Sequence, residues 1–556
     1  MSAEETLRLP GGGAAPPTAP ARPAAPPAKP AAAPQDPFSL GWEPKHNPWA
    51  VAIVVTLAAF MEILDTTIVN VALPHIAGSL SSSNDEATWA LTSYLVANGI
   101  VLTISGWLGS QLGRKRYFLI CLAMFTVCSF LCGVATSLPQ LILFRLLQGF
   151  FGGGLQPNQQ AIILDYFPPA KRGAAFGLTA IATIVGPILG PTLGGIITDS
   201  VSWRWIFFVN VPVGIAAVIL VYILVQDPPW VKREPRPIDG IGLGLIALGL
   251  GCLEVMMDRG EDADWFGSSF IVIMAMLSVT GLVGAAVWLS VAKKPIIHMA
   301  IFKDKNFSGG CVMIGAVGGI LYASSVLIPQ FAQQVLGYTA TWAGMILSPG
   351  GIIIIMLIPF VGRLMNVMQT RYIVAIGFFL LGVSFIFSSK LVLDITYLRL
   401  VMIRASQTVG LAFLFVPIST ITYSTLPREL NGDATALFSM FRNVAGSIGI
   451  ASSTALIQQR AQLHQTYLSQ WANPFWQPFN NLIAKYQASL EALGNSAVAA
   501  HQMALGHAYQ DLLSQVSVMA YSDVFKGCSI VAFALVPLCF MLSPIKGGRG
   551  GGGGGH

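Results

Sequence analysis

The chain has 556 residues, of which 54% are hydrophobic and only 10% are charged, and its mean hydropathy is +0.67. A soluble globular protein carries about 25% charged residues, so a water-soluble enzyme is excluded and a polytopic, all-helical membrane protein is expected. The net charge of +6 does not indicate a nucleic-acid partner, because the basic residues fall in short clusters between apolar runs and not along one face.

Residues 1–47 include the Pro/Ala tract PGGGAAPPTAPARPAAPPAKPAAAPQDP, which neither nucleates a helix nor buries a core and so predicts a disordered tail. No apolar h-region follows a basic n-region, so no cleaved signal peptide is expected and the first span is its own membrane signal. Fourteen apolar spans follow, at about 49–73, 87–110, 117–137, 140–163, 174–198, 205–226, 239–257, 269–292, 308–333, 340–363, 372–390, 398–418, 434–457 and 524–543. At 1.5 Å per residue, about 20 residues cross a hydrocarbon core roughly 30 Å thick.

An even number of spans leaves both termini on one side, and the charges choose the side. Of the 31 Lys and Arg, 21 fall in the N-terminal tail or in the segments that share its side, such as Arg114, Lys115 and Arg116, Lys232, Arg233 and Arg236, Arg428, Lys546 and Arg549. Seven fall on the opposite side, and Arg145, Arg404 and Arg442 lie within spans. The positive-inside rule then places both termini in the cytoplasm, with the closing GGRGGGGGGH as a flexible tail.

The chain also repeats itself. Arg145-Leu-Leu-Gln148 in the fourth span returns as Arg404-Ala-Ser-Gln407 in the twelfth, 259 residues later, and Gly186 is echoed by Gly446. Two six-span halves, 48–228 and 307–545, flank an extra helix pair within 229–306, a 6+2+6 plan; parallel repeats of this kind suggest alternating access around a midplane site. An outer insert at 458–523 has helix-permissive stretches parted by Gly494 and Asn495, which predicts a helical hairpin beside the aromatic residues Trp471, Phe475, Trp476 and Phe479.

Chemistry is expected first at Glu62 and Asp65 in the segment MEILDTTIVNVALP. Three residues apart, they share a helical face at membrane depth, where an ionised Asp costs about 2.5–3.5 kcal/mol and needs a partner, a watery cavity or a proton. They read as a titrating pair facing a central cavity, holding either a proton or a cationic substrate; alternatively each is a structural carboxylate satisfied by Arg145 or by backbone groups. Arg145 and Arg404, with Gln148 and Gln407 one turn on, either anchor cavity hydrogen bonds or tie helices together. His75, at the end of the first span, reads as a solvated surface residue.

In the fifth span Gly186, Gly190 and Gly194 repeat every four residues with Pro187 and Pro191 between them, a close-packing and hinge element. Trp203-Arg204-Trp205-Ile206-Phe207-Phe208 reads as an interfacial aromatic belt. Seven cysteines without CxxC spacing give neither a zinc site nor a disulfide framework. The P-loop, HExxH and GxSxG patterns are absent, so no catalytic residue and no cofactor are expected, and energy must come from an ion gradient or the substrate's own gradient.

Taken together, LDTTIVNVALP (64–74), GWLGSQLGRKR (106–116), RLLQG (145–149), GPILGPTLGG (186–195), WRWIFFVNVP (203–212) and GYTATWAG (337–344) resemble the major facilitator superfamily, in its fourteen-span drug:H⁺ antiporter branch of the EmrB/QacA type. The resemblance implies proton coupling at Asp65 and Arg145, an antiporter motif at Gly186–Gly195, and a gating motif at Gly109, Gly113, Arg114 and Lys115. That last motif departs from the family pattern at Ser110 and Gln111, where Asp and Arg are common. It also implies multidrug efflux across the inner membrane, with an EmrA-like periplasmic adaptor and a TolC-like outer-membrane channel as partners and the 458–523 insert as contact. Export of one endogenous compound, or a receptor or scaffold without turnover, are the competing readings.

Overall fold

The computed structural model describes residues 44–229, 239–427 and 430–543. The Pro/Ala tract up to residue 43, the basic residues Lys232, Arg233, Arg236, Arg428, Lys546 and Arg549, and the glycine-rich end lie outside these residues. All regular structure among the described residues is helical. The first half comprises α1 (Pro48–Ser79), α2 (Trp89–Leu112), α3 (Arg114–Val134), α4 (Leu138–Gly152), α5 (Leu155–Tyr166), α6 (Pro169–Ser200) and α7 (Asn210–Leu224). Then come α8 (Gly240–Arg259) and α9 (Ser269–Val291). The second half comprises α10 (Lys305–Gln334), α11 (Ala340–Val367), α12 (Thr370–Ser388), α13 (Tyr397–Thr422), α14 (Asn431–Ser469), α15 (Gln477–Ala492) and α16 (Ala497–Leu538).

Among the described residues, eleven helices are long and apolar enough to cross a membrane, or twelve when the two arms of α6, Lys171–Pro187 and Leu189–Ser200, inclined at 44°, count as one span. The bend falls where Pro187 and Pro191 remove backbone donors from the helical ladder. The other two sequence spans, 140–163 and 434–457, coincide with α4–α5, which break at Gly153 and Gly154, and with the more polar α14.

Lipid chains are as apolar as leucine, so helices here associate through close approach and not through escape from water. The glycines of α6 provide that approach. A Cβ on Gly186, Gly190 or Gly194 would lie within 2.7 Å of Ile63, Thr67 or Ile68, so α6 beds directly on α1. The duplicated pair, α10 on α14, packs in the same way. The halves meet along α6 against α11 and along α2 against α14, two seams that the repeat makes equivalent. At one end of the second seam a Cβ on Gly106 would strike the backbone of Gly432. The extra hairpin attaches through α8, which packs on α2, α14 and α9. α9 turns exposed side chains outward, including Ile273, Met276, Val283 and Val287.

Two sequence expectations are refined. No separate insert begins at 458: α14 runs unbroken to Ser469 and α16 runs from Ala497 to Leu538, so two membrane helices are simply prolonged, with α15 folded against them. Gly494, at φ +91°, makes the turn between α15 and α16, and Ile483, Leu490, Ala500, Ala504 and Ala508 form a small core. The aromatic belt is mostly buried. Trp203, Ile206 and Phe207 join a core with Ile68 and Val69, and only Trp205 of these is largely exposed. The Arg204 guanidinium lies over the Trp203 ring and Nη1 donates to the carbonyl of Ala135 at 2.6 Å, which turns the segment inward.

Candidate functional site

α1 passes through the middle of the first half and carries both sequence-identified carboxylates, but they face different surroundings. Asp65 is fully buried among α4, α7 and its own helix. Arg145 Nη1 donates to Asp65 Oδ2 at 2.6 Å, while Gln148 Nε2 and Asn210 Nδ2 donate to Oδ1 at 3.0 and 2.8 Å. Arg145 also donates from Nε to the carbonyl of Ala90 at 3.1 Å and lies over the Tyr94 ring, 4.1 Å from its centroid. Both Asp65 oxygens are hydrogen-bonded, while Arg145 Nη2 is buried without a hydrogen-bond partner, so the attraction between the two charges is what offsets their desolvation. Arg145 and Gln148 lie one turn apart on α4, so both reach the same carboxylate.

Glu62, one turn earlier, lines a cavity. Its Oε1 accepts from Asn98 Nδ2 at 2.9 Å and from the Tyr94 hydroxyl at 3.4 Å, and its Oε2 accepts from Gln156 Nε2. Gln156 then accepts, at Oε1, from Arg442 Nη2 of α14. A polar chain therefore runs from α1 through α5 to the opposite half. One turn along α5, Gln160 makes a second crossing: its Oε1 accepts from the Tyr423 hydroxyl at 2.9 Å and its Nε2 donates to Ser439 at 3.3 Å. Phe176, Tyr423 and Phe438 stack beside it. This layer closes the halves against each other at the end away from the α15–α16 hairpin.

The cavity lies on the hairpin side of that layer and has a volume of about 160 Å³, the scale that admits a single aromatic ring. Most of its wall area is apolar, with Leu95, Leu250, Val326 and Ile450, and polar side chains also reach it, Glu62, Asn98, Gln156, Asn443 and Glu254 among them. Of the six residues expected to form a coupling cavity, Glu62 alone lines it; Asp65, Arg145 and Gln148 sit together behind the wall. Arg404 and Gln407 form a separate cluster in the second half. Arg404 Nη1 donates to Ser324 at 2.9 Å and Nη2 to Ser325 at 3.0 Å, and Gln407 Nε2 donates to Ser388 at 2.9 Å.

The second-loop motif clamps elements within the first half. Gly113, at φ +82°, lets α3 start immediately after α2. Arg114 pairs with Asp165 and donates to the carbonyl of Ala161 at 2.8 Å, and Lys115 Nζ donates to the carbonyl of Tyr222 at 2.7 Å. Ser110, at a departure from the family pattern, bonds locally to the carbonyl of Trp107 at 2.8 Å.

A model of the Major Facilitator Superfamily matches residues 55–450. The chain belongs to that superfamily. It is 38% identical over 512 residues to the multidrug export protein EmrB of Escherichia coli strain K12, spanning 91% of this chain and 97% of that one. Against the fatty acid resistance protein FarB of Neisseria gonorrhoeae it is 33% identical over 503 residues, 90% of this chain and 97% of FarB. The crystal structure of the human organic anion transporter MFSD10 superposes with a TM-score of 0.55 at 13% identity, covering 88% of this chain and all of that one, which shows the shared fold. As a major facilitator protein it is a multi-pass membrane protein and a secondary transporter, not an enzyme.

Within this facilitator fold, several site residues escape sequence reasoning. Asn98, Gln156 and Asn210 are uncharged amides in apolar runs, and only the cost of burying an amide without a partner marks them. Arg442 is visible as a cation within a span, but nothing in the sequence joins it to Gln156, 286 residues away. Glu254, a carboxylate in the seventh apolar span, carries the same intramembrane signal as Asp65 and was open to the same reasoning.

Proposed function

We propose that this facilitator is a proton-coupled antiporter that exports lipophilic drugs by alternating access. The observation that carries the reading is the link between Glu62 and Arg442: a carboxylate in the cavity reaches the opposite half through one side chain, Gln156. The names of EmrB and its resistance-conferring relatives support drug export as the direction and substrate class.

Glu62 is the group that a proton or a cationic drug meets first. Ionised, it is a strong acceptor for Asn98 and Gln156; protonated or neutralised by a cation, it holds them less firmly. Hydrogen bonds to charged groups contribute about 1.5–3 kcal/mol and neutral ones about 1, so neutralising Glu62 weakens the anchor of Gln156 and with it the crossing to Arg442. A difference of that size moves a two-state equilibrium roughly tenfold. The closed layer at Gln160 and Tyr423 then makes this the state sealed toward the cytoplasm. Asp65, with Arg145 and Gln148, is the second coupling group behind the wall, and Arg404 with Gln407 is its counterpart in the second half.

Residues 48–228 and 307–545 act as the moving halves, with α8 and α9 between them and Gly186–Gly194 with Pro187 and Pro191 as the hinge surface; Gly109, Gly113, Arg114 and Lys115 stiffen the first half. The membrane is the bacterial inner membrane, both termini are cytoplasmic, and the energy source is the proton gradient with no further cofactor. The hairpin then projects into the periplasm, where exposed Trp471, Phe475 and Trp476 offer contacts to an EmrA-like adaptor that leads to a TolC-like channel.

Dye efflux from proteoliposomes under an imposed pH gradient tests the reading. The parent protein is expected to transport only with the gradient, and Glu62→Gln and Asp65→Asn to bind dye without gradient-driven flux. Undiminished coupled flux in both variants overturns it.

A further inference from the structure

α8 is apolar along its first three turns and then carries Glu254, which lines the same cavity as Glu62. Ser447 Oγ of α14 donates to Glu254 Oε1 at 2.8 Å, while Oε2 makes no hydrogen bond and no Lys, Arg or His lies within ion-pair distance among the described residues. Asp65 has Arg145, Asp165 has Arg114, and Glu62 reaches Arg442 through Gln156. On the same helix, Asp258 accepts from Thr92, and Arg259 lies over Trp89 and donates to Thr88. These contacts fix α8 to α2 one turn beyond Glu254, so the helix is already anchored without it. The ionised form of Glu254 thus has no countercharge among the described residues, and it opens onto a pocket whose wall area is largely apolar.

We propose that Glu254 is a charge-selecting residue of the substrate cavity, and that the extra hairpin supplies one wall of the site through it. The ligand chemistry that fits is a lipophilic body bearing a positive charge: Leu95, Leu250 and Val326 take the apolar part, and Glu254 takes the charge opposite Glu62. A cation placed there supplies the missing countercharge, whereas an anion of the same shape meets two carboxylates. The proposal rests on the reading of this cavity as the substrate site.

Benzyltrimethylammonium and phenylmethanesulfonate are each built on one aromatic ring, the size the cavity admits, and bear opposite charge, and their equilibrium binding to the detergent-solubilised full chain tests it. The parent is expected to favour the cation. Glu254→Gln is expected to lower the cation-to-anion affinity ratio about tenfold, as loss of one charge-assisted contact does, and Glu254→Asp to keep most of it. A ratio unchanged in Glu254→Gln, or a parent that takes both ions alike, overturns the proposal and leaves the substrate-cavity reading standing. A parent that binds neither ion overturns both. A second measurement needs no variant: benzyltrimethylammonium, but not phenylmethanesulfonate, is expected to slow carbodiimide labelling of the peptide holding Glu254, and equal labelling with both ions overturns the assignment.

Discussion

Ser324 stands toward Arg404 as Asp65 stands toward Arg145. Both pairs are separated by the same 259 residues, and Arg145 Nη1 reaches Asp65 Oδ2 at 2.6 Å where Arg404 Nη1 reaches Ser324 Oγ at 2.9 Å. Ser129 and Ser388 obey the same offset; the first accepts from Asn210 and the second from Gln407. The duplication has kept the guanidinium and its hydrogen-bond geometry but has a carboxylate in only one half. An ion pair whose charge a proton can cancel therefore exists at Asp65 and has no equivalent at Ser324.

That asymmetry predicts unequal effects of matched substitutions. Asp65→Asn leaves Arg145 buried without its countercharge and is expected to cost about 3–5 kcal/mol, whereas Ser324→Ala removes one uncharged acceptor from Arg404 and is expected to cost about 1.5–3 kcal/mol. Thermal unfolding in detergent measures the difference. Gradient-driven flux is expected to disappear in the first variant and persist in the second, and equal losses would refute the asymmetry.

The crossing at Gln156 and Arg442 predicts a shift between states. Arg442→Ala removes the hydrogen bond that joins Gln156 to the second half and is expected to weaken the closed layer by about 1–3 kcal/mol, roughly a tenfold change in population. Thiol labelling of a cysteine placed at Ser439, which is fully buried here, reads this out. The labelling rate is expected to rise in the Arg442→Ala background and to stay at the parent level if Gln160 and Tyr423 hold the halves alone.

The bed of α6 on α1 predicts that small additions there are costly. Gly190→Ala places a methyl group against Thr67 and is expected to destabilise by about 1–3 kcal/mol through overpacking. Gly78, with nothing within 4 Å of an added Cβ, serves as the control. Gly78→Ala is expected to leave the melting temperature unchanged or raise it, since alanine is the better helix former by about 1 kcal/mol. Indistinguishable melting of the two variants would show that α1 and α6 are not in close contact.

The hairpin predicts a separation of transport from adaptor binding. Leu490 belongs to the small core between α15 and α16, and Leu490→Ala is expected to loosen that pair by about 2–3 kcal/mol while the membrane helices stay folded. Capture of an EmrA-like adaptor is expected to fall in Leu490→Ala and to vanish when residues 470–510 are deleted, with dye efflux from proteoliposomes retained in both. Full adaptor capture by the deletion variant would remove the hairpin from the interface.

The sequence by itself determined the class of molecule, the positions of its helices, the duplication and the cost of Glu62, Asp65 and Arg145 at membrane depth. These are local or periodic properties: apolar runs of bilayer length, an offset that recurs, and a charge where hydrocarbon is expected. Even the close-packing role of Gly186, Gly190 and Gly194 was legible, because small residues four apart line one helical face. Tertiary structure alone decided that Glu62 and Asp65, three residues apart, serve different surroundings, because a rotation of about 300° around the helix points one into the cavity and the other toward α4 and α7. It also decided that Gln156 joins Glu62 to Arg442, that Trp203 turns into the core, and that the extra helix brings Glu254 to the cavity. A side chain's partner across hundreds of residues is set by how helices pack, and no local pattern carries that information.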